Sequence, residues 1–193
     1  MQRRRFLLGL GSTALGGSAL LGSGAFTRVQ SQRRVKIEVA HDSEAYLGLV
    51  RREEYPNASY VDYDDKSHLR VRLNPENPNL EDPDRGTGVN SDSTSTFHDL
   101  FDVCNHGKQP VCVWFEKGPV QTVMDPDSSL YGEDMVIFYR DGDPDDRIDR
   151  EDDAFELDVG ECAAVGLQTR TYSIGAGSKL LNEVTAHAGT DWC

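Results

Sequence analysis

The sequence lacks the motifs by which the common enzyme families are recognised. Its 193 residues contain no nucleophile elbow, HExxH helix, phosphate-binding loop or dinucleotide fingerprint. The five histidines show none of the spacings, to one another or to a pair of cysteines, that favour zinc. Adjacent carboxylates are no evidence for a glycoside hydrolase here, because 33 of the residues are acidic. We therefore predict a protein that is not an enzyme, with an exported hydrolase as the least supported alternative.

Basic residues are also scarce, and lysine most of all. The chain has 20 Lys and Arg against 33 Asp and Glu, and its net charge is −13. Such a surface repels DNA, RNA and anionic lipid, so we expect no nucleic-acid partner. The excess of Asp over Glu and the even spread of acids are typical of proteins adapted to molar salt, which screens this repulsion. An acidic secreted protein from an ordinary environment is the alternative.

No stretch has the periodicity of a long amphipathic helix, whereas strand-like alternation recurs. It is clearest at 35–39, 69–73 and 155–159, and clusters of Gly, Pro, Asn and Asp separate the apolar runs. The pattern predicts an all-β domain, an antiparallel two-sheet β-sandwich of the immunoglobulin or jelly-roll kind, with barrel closure as the alternative. We expect a long exposed loop at 74–96 and an acidic loop at 141–153.

The first 25 residues are typical of a twin-arginine export signal. The motif is an arginine pair, one further residue and two large apolar residues, and its members are Arg3, Arg4, Phe6 and Leu7. Gly, Ser and Ala interrupt the uncharged stretch that follows, so a removable signal fits better than a permanent membrane span, an uncleaved anchor being the alternative. We expect residues 26–193 to be one domain at the cell surface or outside the cell.

The exported part of the chain contains four cysteines, Cys104, Cys112, Cys162 and Cys193. Outside the cytoplasm such cysteines are normally oxidised in pairs, so two disulfides are expected. The residues around the turn at 106–110 fit a hairpin that places Val103 opposite Val113 and Cys104 opposite Cys112. We favour the pairs Cys104–Cys112 and Cys162–Cys193 over the two other arrangements.

The acidic loop has carboxylates at alternate positions, as calcium-binding loops do. Positions 1, 3, 5, 9 and 12 of a twelve-residue loop are occupied by Asp141, Asp143, Asp145, Asp149 and Asp152. Position 6 is Asp146 where the EF-hand loop needs glycine, and the flanks are typical of strands, so we do not expect an EF-hand. Calcium is the one cofactor that the sequence suggests, and a solvated acidic loop is the alternative.

An acceptor sequon for N-glycosylation begins at Asn57, in the segment Asn57-Ala58-Ser59. The surrounding stretch is polar and rich in tyrosine, which is typical of an exposed loop. Such sequons are frequent by chance, so Asn57 is a candidate glycosylation site only if the chain is exported.

Five segments carry a family resemblance, and they are Gly22–Thr27, Val35–Ala40, Asp42–Leu49, Phe101–Gly107 and Val184–Ala188. They resemble a family of small haloarchaeal secreted proteins of unknown function, which is distantly similar to extracellular fibre subunits of the TasA and camelysin type. TasA-type subunits lack these cysteines and use another export route. The resemblance implies a β-sandwich whose free N-terminal strand completes the sheet of the next subunit.

The sequence therefore predicts an exported structural protein of the cell surface or matrix, such as a filament subunit assembled by strand donation. The donor would be Phe26–Ala40; alternatively, Val35–Val39 is the first strand of its own monomer. The expected partners are further copies of the chain or components of the surface layer. The alternative function is a secreted module that binds a ligand or calcium through the acidic loop.

Overall fold

The computed structural model describes residues 34–79, 86, 88–120 and 122–193. Its strands are β1 Leu47–Val50, β2 Val61–Tyr63, β3 Leu69–Val71, β4 Thr94–Asn105, β5 Val111–Lys117, β6 Val136–Arg140, β7 Phe155–Leu157, β8 Cys162–Arg170 and β9 Val184–Gly189. Short 3-10 helices lie at Asp42–Glu44, Ala58–Tyr60 and Glu151–Asp153. All these strands belong to the compact unit Val39–Cys193, whereas residues 34–38 belong to a separate unit and contain no strand.

The strands form two principal sheets and a ribbon. One sheet has four strands in the order β1-β4-β8-β6, the other has three in the order β7-β5-β9, and β2 pairs with β3. Every pairing between them is antiparallel. The predicted all-β, antiparallel class is confirmed.

The two sheets share one hydrophobic core, as a sandwich requires. Phe101 and Val103 of β4 and Val113 and Phe115 of β5 are at most 3% exposed, and the rings of Phe101 and Phe115 are 6.0 Å apart. Because β4 and β5 lie in different sheets, these contacts run across the core. Each such side chain contributes about 1.5–3 kcal/mol by its burial.

The predicted hairpin between β4 and β5 is therefore wrong. Val103 and Val113 do share one environment, but they meet face to face from opposite sheets instead of side by side in one. Alternation along a strand shows which side chains point inward. It does not show whether the next strand lies beside the first or across the core from it.

The cysteines form two disulfides, as predicted, but in another arrangement. Cys104 bonds to Cys162, its direct cross-strand partner on β8, with the Cα atoms 4.1 Å apart. Cys112 bonds to Cys193, with a Cα separation of 5.6 Å. The pairs Cys104–Cys112 and Cys162–Cys193 are wrong because Cys104 and Cys112 point away from the core on different sheets.

Most of the described residues of the loop predicted at 74–96 are exposed, and its last residues form the start of a strand. Strand β4 already begins at Thr94, so the end of the predicted loop belongs to the four-stranded sheet. Asn77 is only 5% exposed, and its amide Nδ2 donates to the carbonyl oxygens of Ser59 (2.9 Å) and Arg72 (3.1 Å). The polar side chain of Asn77 can be buried because its hydrogen bonds are made within the protein.

The loop at 141–153 connects the two sheets through the backbone of Ile148. The Ile148 N–H donates to the carbonyl of Phe138 on β6 (3.0 Å), and the Phe115 N–H on β5 donates to the Ile148 carbonyl (2.8 Å). The side chain of Ile148 is fully buried in the core. One side of the sandwich is therefore closed by this loop.

The helices of the described ranges are single 3-10 turns of three residues each. None of them has the length or apolar character needed to cross a membrane.

Candidate functional site

The segment before the first strand exposes an alternating apolar face. Val35, Ile37 and Val39 are 79%, 86% and 97% exposed, and between them Lys36 and Glu38 form an ion pair at 2.6 Å. Residues 34–40 have no helical or strand structure, so the strand predicted at Val35–Val39 does not form within this chain. The rest of the predicted donor, residues 26–33, lies outside the described residues. Three β-branched side chains at every second position are thus left for another surface to cover.

The edges of the two sheets differ in how well they are covered. The outer edge of β6 is covered by the acidic loop, where the Arg140 N–H donates to the Asp146 carbonyl (3.1 Å) and Ile148 pairs with Phe138. Strands β1 and β7 have only four and three residues. The carbonyl of Leu49 on β1 also accepts the hydroxyl of Tyr63 at 3.1 Å.

Strand β9 is the longest edge strand among the described residues. It has six residues and pairs on one side with β5, from Cys112 opposite Gly189 to Lys117 opposite Val184. Its inward side chains Val184 and Ala186 pack on the core but stay partly exposed. A further strand beside β9 would complete both its hydrogen bonds and the cover over these side chains.

A cluster of charges lies at the inner end of β5. Lys117 follows Val113 and Phe115 on the inward face, and its side chain is 6% exposed. Its Nζ lies 2.5 Å from Asp149 Oδ2 and 2.7 Å from Asp134 Oδ2, and it donates to the carbonyl oxygen of Val136 at 2.9 Å. The side chain of Asp149 is fully buried.

Arginine side chains complete the charge balance of this cluster. Arg147 Nε donates to Asp149 Oδ1 (3.0 Å), and Arg147 Nη2 contacts Asp149 Oδ2 (3.1 Å) and Asp134 Oδ2 (3.3 Å). Burial alone would raise the pKa of Asp134, but the hydrogen bond and charge of Lys117, with the charges of Arg147 and Arg150, hold that pKa below its ordinary value. Asp134 is therefore a carboxylate at neutral pH.

The structure does not gather the five aspartates predicted to bind calcium. Asp149 is held in the charged cluster, whereas Asp141 Oδ1 accepts the Ala164 N–H (3.3 Å) and Asp143 Oδ1 accepts the Asp145 N–H (3.0 Å). Asp152 is exposed in the 3-10 turn that follows. Within the described ranges, no three of these carboxylates come within reach of one ion.

The described residues contain one group of three metal-type donors, Asp102, Cys104 and Cys162. The two cysteines are joined in a disulfide, so they offer no thiolate. Asp102 is itself engaged, because it accepts Arg52 Nε at 2.7 Å and the hydroxyl of Tyr55 at 2.6 Å. This group has the contacts of a structural hydrogen-bonded cluster.

Asn57 immediately precedes the 3-10 turn Ala58–Tyr60, and its amide Nδ2 donates to the His98 carbonyl at 2.6 Å. An amide nitrogen that carries a glycan keeps one hydrogen, so this contact is compatible with glycosylation. Glycosylation stays a prediction. The export-signal residues Arg3, Arg4, Phe6 and Leu7 lie outside the described residues.

An aromatic cluster on the outer face of the three-stranded sheet was not predicted. Trp114 stacks on His187 with ring centroids 4.4 Å apart, and Trp192 meets Trp114 edge-on at 6.2 Å. The signal was available in the sequence, because Trp114 lies two residues after Cys112 and Trp192 directly precedes Cys193. The disulfide between these cysteines brings the two tryptophans together.

The charged cluster was also missed, although Lys117 stands at an inward position of an alternating strand. The fold is that of a disulfide-linked, all-β protein in which no described residue pairs with the outer edge of β9 and the apolar segment 34–40 is exposed. A family model described as a protein of unknown function (DUF1102) matches residues 34–190, and the chain belongs to this family. The matched range includes every strand and ends before Trp192 and Cys193. No curated protein matches the chain.

Proposed function

We propose that this chain is an exported subunit of an extracellular fibre or matrix. In the proposed assembly, residues 34–40 of one copy add a strand to the edge of β9 in the next. The observation that carries the proposal is the alternating, exposed row Val35, Ile37 and Val39. Strand addition supplies backbone hydrogen bonds for affinity and uses alternate side chains for fit.

The donor and the proposed acceptor match in length and pattern. Strand β9 has six residues and the donor segment has seven, so both extend about 20 Å at roughly 3.3 Å per residue. In this pairing Val35, Ile37 and Val39 would cover the half-buried inward residues of β9. Lys36 and Glu38 would point outward, on the face that carries Glu116 and His187, where opposite charges can pair.

Export and environment complete the proposal. The twin-arginine motif favours transport out of the cytoplasm, and the acid-rich composition favours a salt-loving archaeal source. The likeness to TasA-type fibre subunits favours copies of the same chain as the partner. The acidic loop adds no support for a calcium-binding function, because its central carboxylate is already paired with Lys117 and Arg147.

The assembly is tested by electron microscopy and light scattering of the chain without residues 1–25, at molar salt. We expect filaments or oligomers, and their loss on deletion of residues 26–40. Replacing Ile37 with Asp removes about 1.5–3 kcal/mol of burial, which weakens association by about 10- to 150-fold. The outward variant Lys36→Gln is the matched control and should assemble normally.

Two outcomes would contradict the proposal. One is a strict monomer at all concentrations, with folding unaffected by the deletion. The other is assembly that Ile37→Asp leaves unchanged, which would refute strand donation by this segment but not self-assembly.

A further inference from the structure

The side chain of Lys117 points inward and places its amino group in the protein interior. Among the five lysines of the chain, it is one whose Nζ contacts two carboxylates inside the protein. An amine is a nucleophile once it loses its proton, and a carboxyl carbon is its natural electrophile. The contact between Lys117 and Asp149 therefore places two groups that can condense within bonding reach.

The surroundings of Asp149 suit such a reaction. Its Oδ1 accepts Arg147 Nε at 3.0 Å, and its Oδ2 accepts the backbone N–H of Phe138 at 3.3 Å. Donors in these positions polarise the carboxyl group and stabilise the oxyanion that forms when a nucleophile adds to it. The side chains of Lys117 and Asp149 are 6% and 0% exposed, so solvent has little access to the reacting atoms.

We propose that Lys117 and Asp149 condense to form an intramolecular amide bond between Nζ and the side-chain carbonyl carbon of Asp149. Asp134, whose Oδ2 lies 2.7 Å from Nζ, acts as the proton-transfer group. The site is thus a self-modification site. It is independent of strand donation, and neither result decides the other.

The step balances without an oxidant or a further reactant. A proton moves from the ammonium group of Lys117 to the carboxylate of Asp149, which leaves an amine beside a carboxylic acid. The amine attacks the carboxyl carbon, Asp134 takes the proton that nitrogen releases, and the same proton is given to the departing hydroxyl group. One N–C bond forms, one C–O bond breaks and one water molecule leaves.

Two physical effects favour the product. Groups held in contact react as if present at an effective concentration of about 10⁵–10⁸ M, which offsets the unfavourable condensation in water. The amide also removes one positive and one negative charge from the interior. The remaining charges stay paired, because Arg147 Nη2 lies 3.3 Å from Asp134 Oδ2.

The bond would tie the two sheets together covalently. Lys117 is the last residue of β5, and Asp149 follows Ile148, whose backbone is hydrogen-bonded to β6. A cross-link at this point closes the side of the sandwich that the acidic loop already covers. Such a link resists mechanical separation of the sheets, which would suit the fibre subunit proposed above.

Mass spectrometry of the folded wild-type chain tests the proposal. After incubation at neutral pH in molar salt, reduction and denaturation, we expect a chain lighter by one water molecule. Trypsin should then leave Lys117 uncleaved and give a branched peptide in which 109–140 is joined to 148–150. This branched peptide distinguishes the Lys117–Asp149 amide from a succinimide at Asp141-Gly142, whose formation also removes one water molecule.

The variants assign the roles. Lys117→Arg keeps the charge and cannot form the amide, so it should show the full mass; Asp134→Asn should form the link more slowly. Full mass in the wild type, with tryptic peptides that end at Lys117, overturns the proposal without reference to any variant. Linkage at an unchanged rate in Asp134→Asn overturns the role given to Asp134.

Discussion

The buried carboxylate of Asp149 gives the sharpest test of what the acidic loop does. Asp149 and Asp152 are both calcium ligands in the sequence prediction, yet Asp149 is buried against Lys117 and Arg147 and Asp152 is exposed. If the loop is structural, Asp149→Ala is damaging and Asp152→Ala is not. If the loop binds calcium, the two variants should resemble each other, and both should differ from the wild type only when calcium is present.

The expected magnitude follows from the geometry. Removing one partner of a buried ion pair costs about 3–5 kcal/mol, because the other charges stay buried without compensation. Here Lys117 would keep only Asp134, and the N–H of Phe138 would lose its acceptor. An exposed substitution such as Asp152→Ala should stay within about 0.5 kcal/mol. An amide between Lys117 and Asp149 would make the first loss larger.

Urea denaturation at molar salt, with and without calcium, measures both variants. With a slope of about 2 kcal/mol per molar urea, Asp149→Ala should lower the midpoint by roughly 1.5–2.5 M. The midpoint of Asp152→Ala should not move. Equal midpoints for Asp149→Ala and the wild type would refute the structural role, and a calcium-dependent shift lost in both variants would restore the calcium site.

Two further predictions concern acid stability and the disulfides. Folding lowers the pKa of Asp134, so its contribution to the free energy of unfolding is complete above the unfolded pKa of about 3.9 and is lost as the pH falls through the lower folded pKa. Asp134→Asn should therefore lose less stability than the wild type when the pH is lowered below about 4. Parallel loss of stability with pH in the two proteins would contradict this. The sequence separations of the two disulfides, 58 for Cys104–Cys162 and 81 for Cys112–Cys193, give about 4 kcal/mol each from chain entropy. Non-reduced peptide mapping should yield these pairs, and a Cys104–Cys112 peptide would refute them.

Much of the fold could be predicted because strand alternation is local. The alternation at 69–73 and 155–159 marks β3 and β7, and the inward and outward residues of β4 and β5 were assigned correctly. What failed depends on contacts between distant residues. The same alternation at 35–39 does not yield a strand, because no partner edge within the described residues pairs with it.

The disulfides and the charged cluster show the limit of this reasoning. Four cysteines allow three pairings, and the choice depends on whether β4 and β5 share a sheet. Lys117 at an inward position indicates a buried counter-charge. Nothing local, however, identifies Asp134 and Asp149 as that charge among so many acids, because only the closed sandwich brings the three together.

The strand register around Cys104 has a consequence for how the chain matures. Its partner Cys162 stands directly opposite on a neighbouring strand, so backbone hydrogen bonding alone delivers the two sulfur atoms to each other. Oxidation at this pair can follow folding without moving the sheets. Cys193 lies beyond the end of β9, so no strand pairing places it beside Cys112. The Cys104–Cys162 disulfide thus joins residues that strand pairing already holds together, whereas the Cys112–Cys193 disulfide attaches the C-terminal residues to β5.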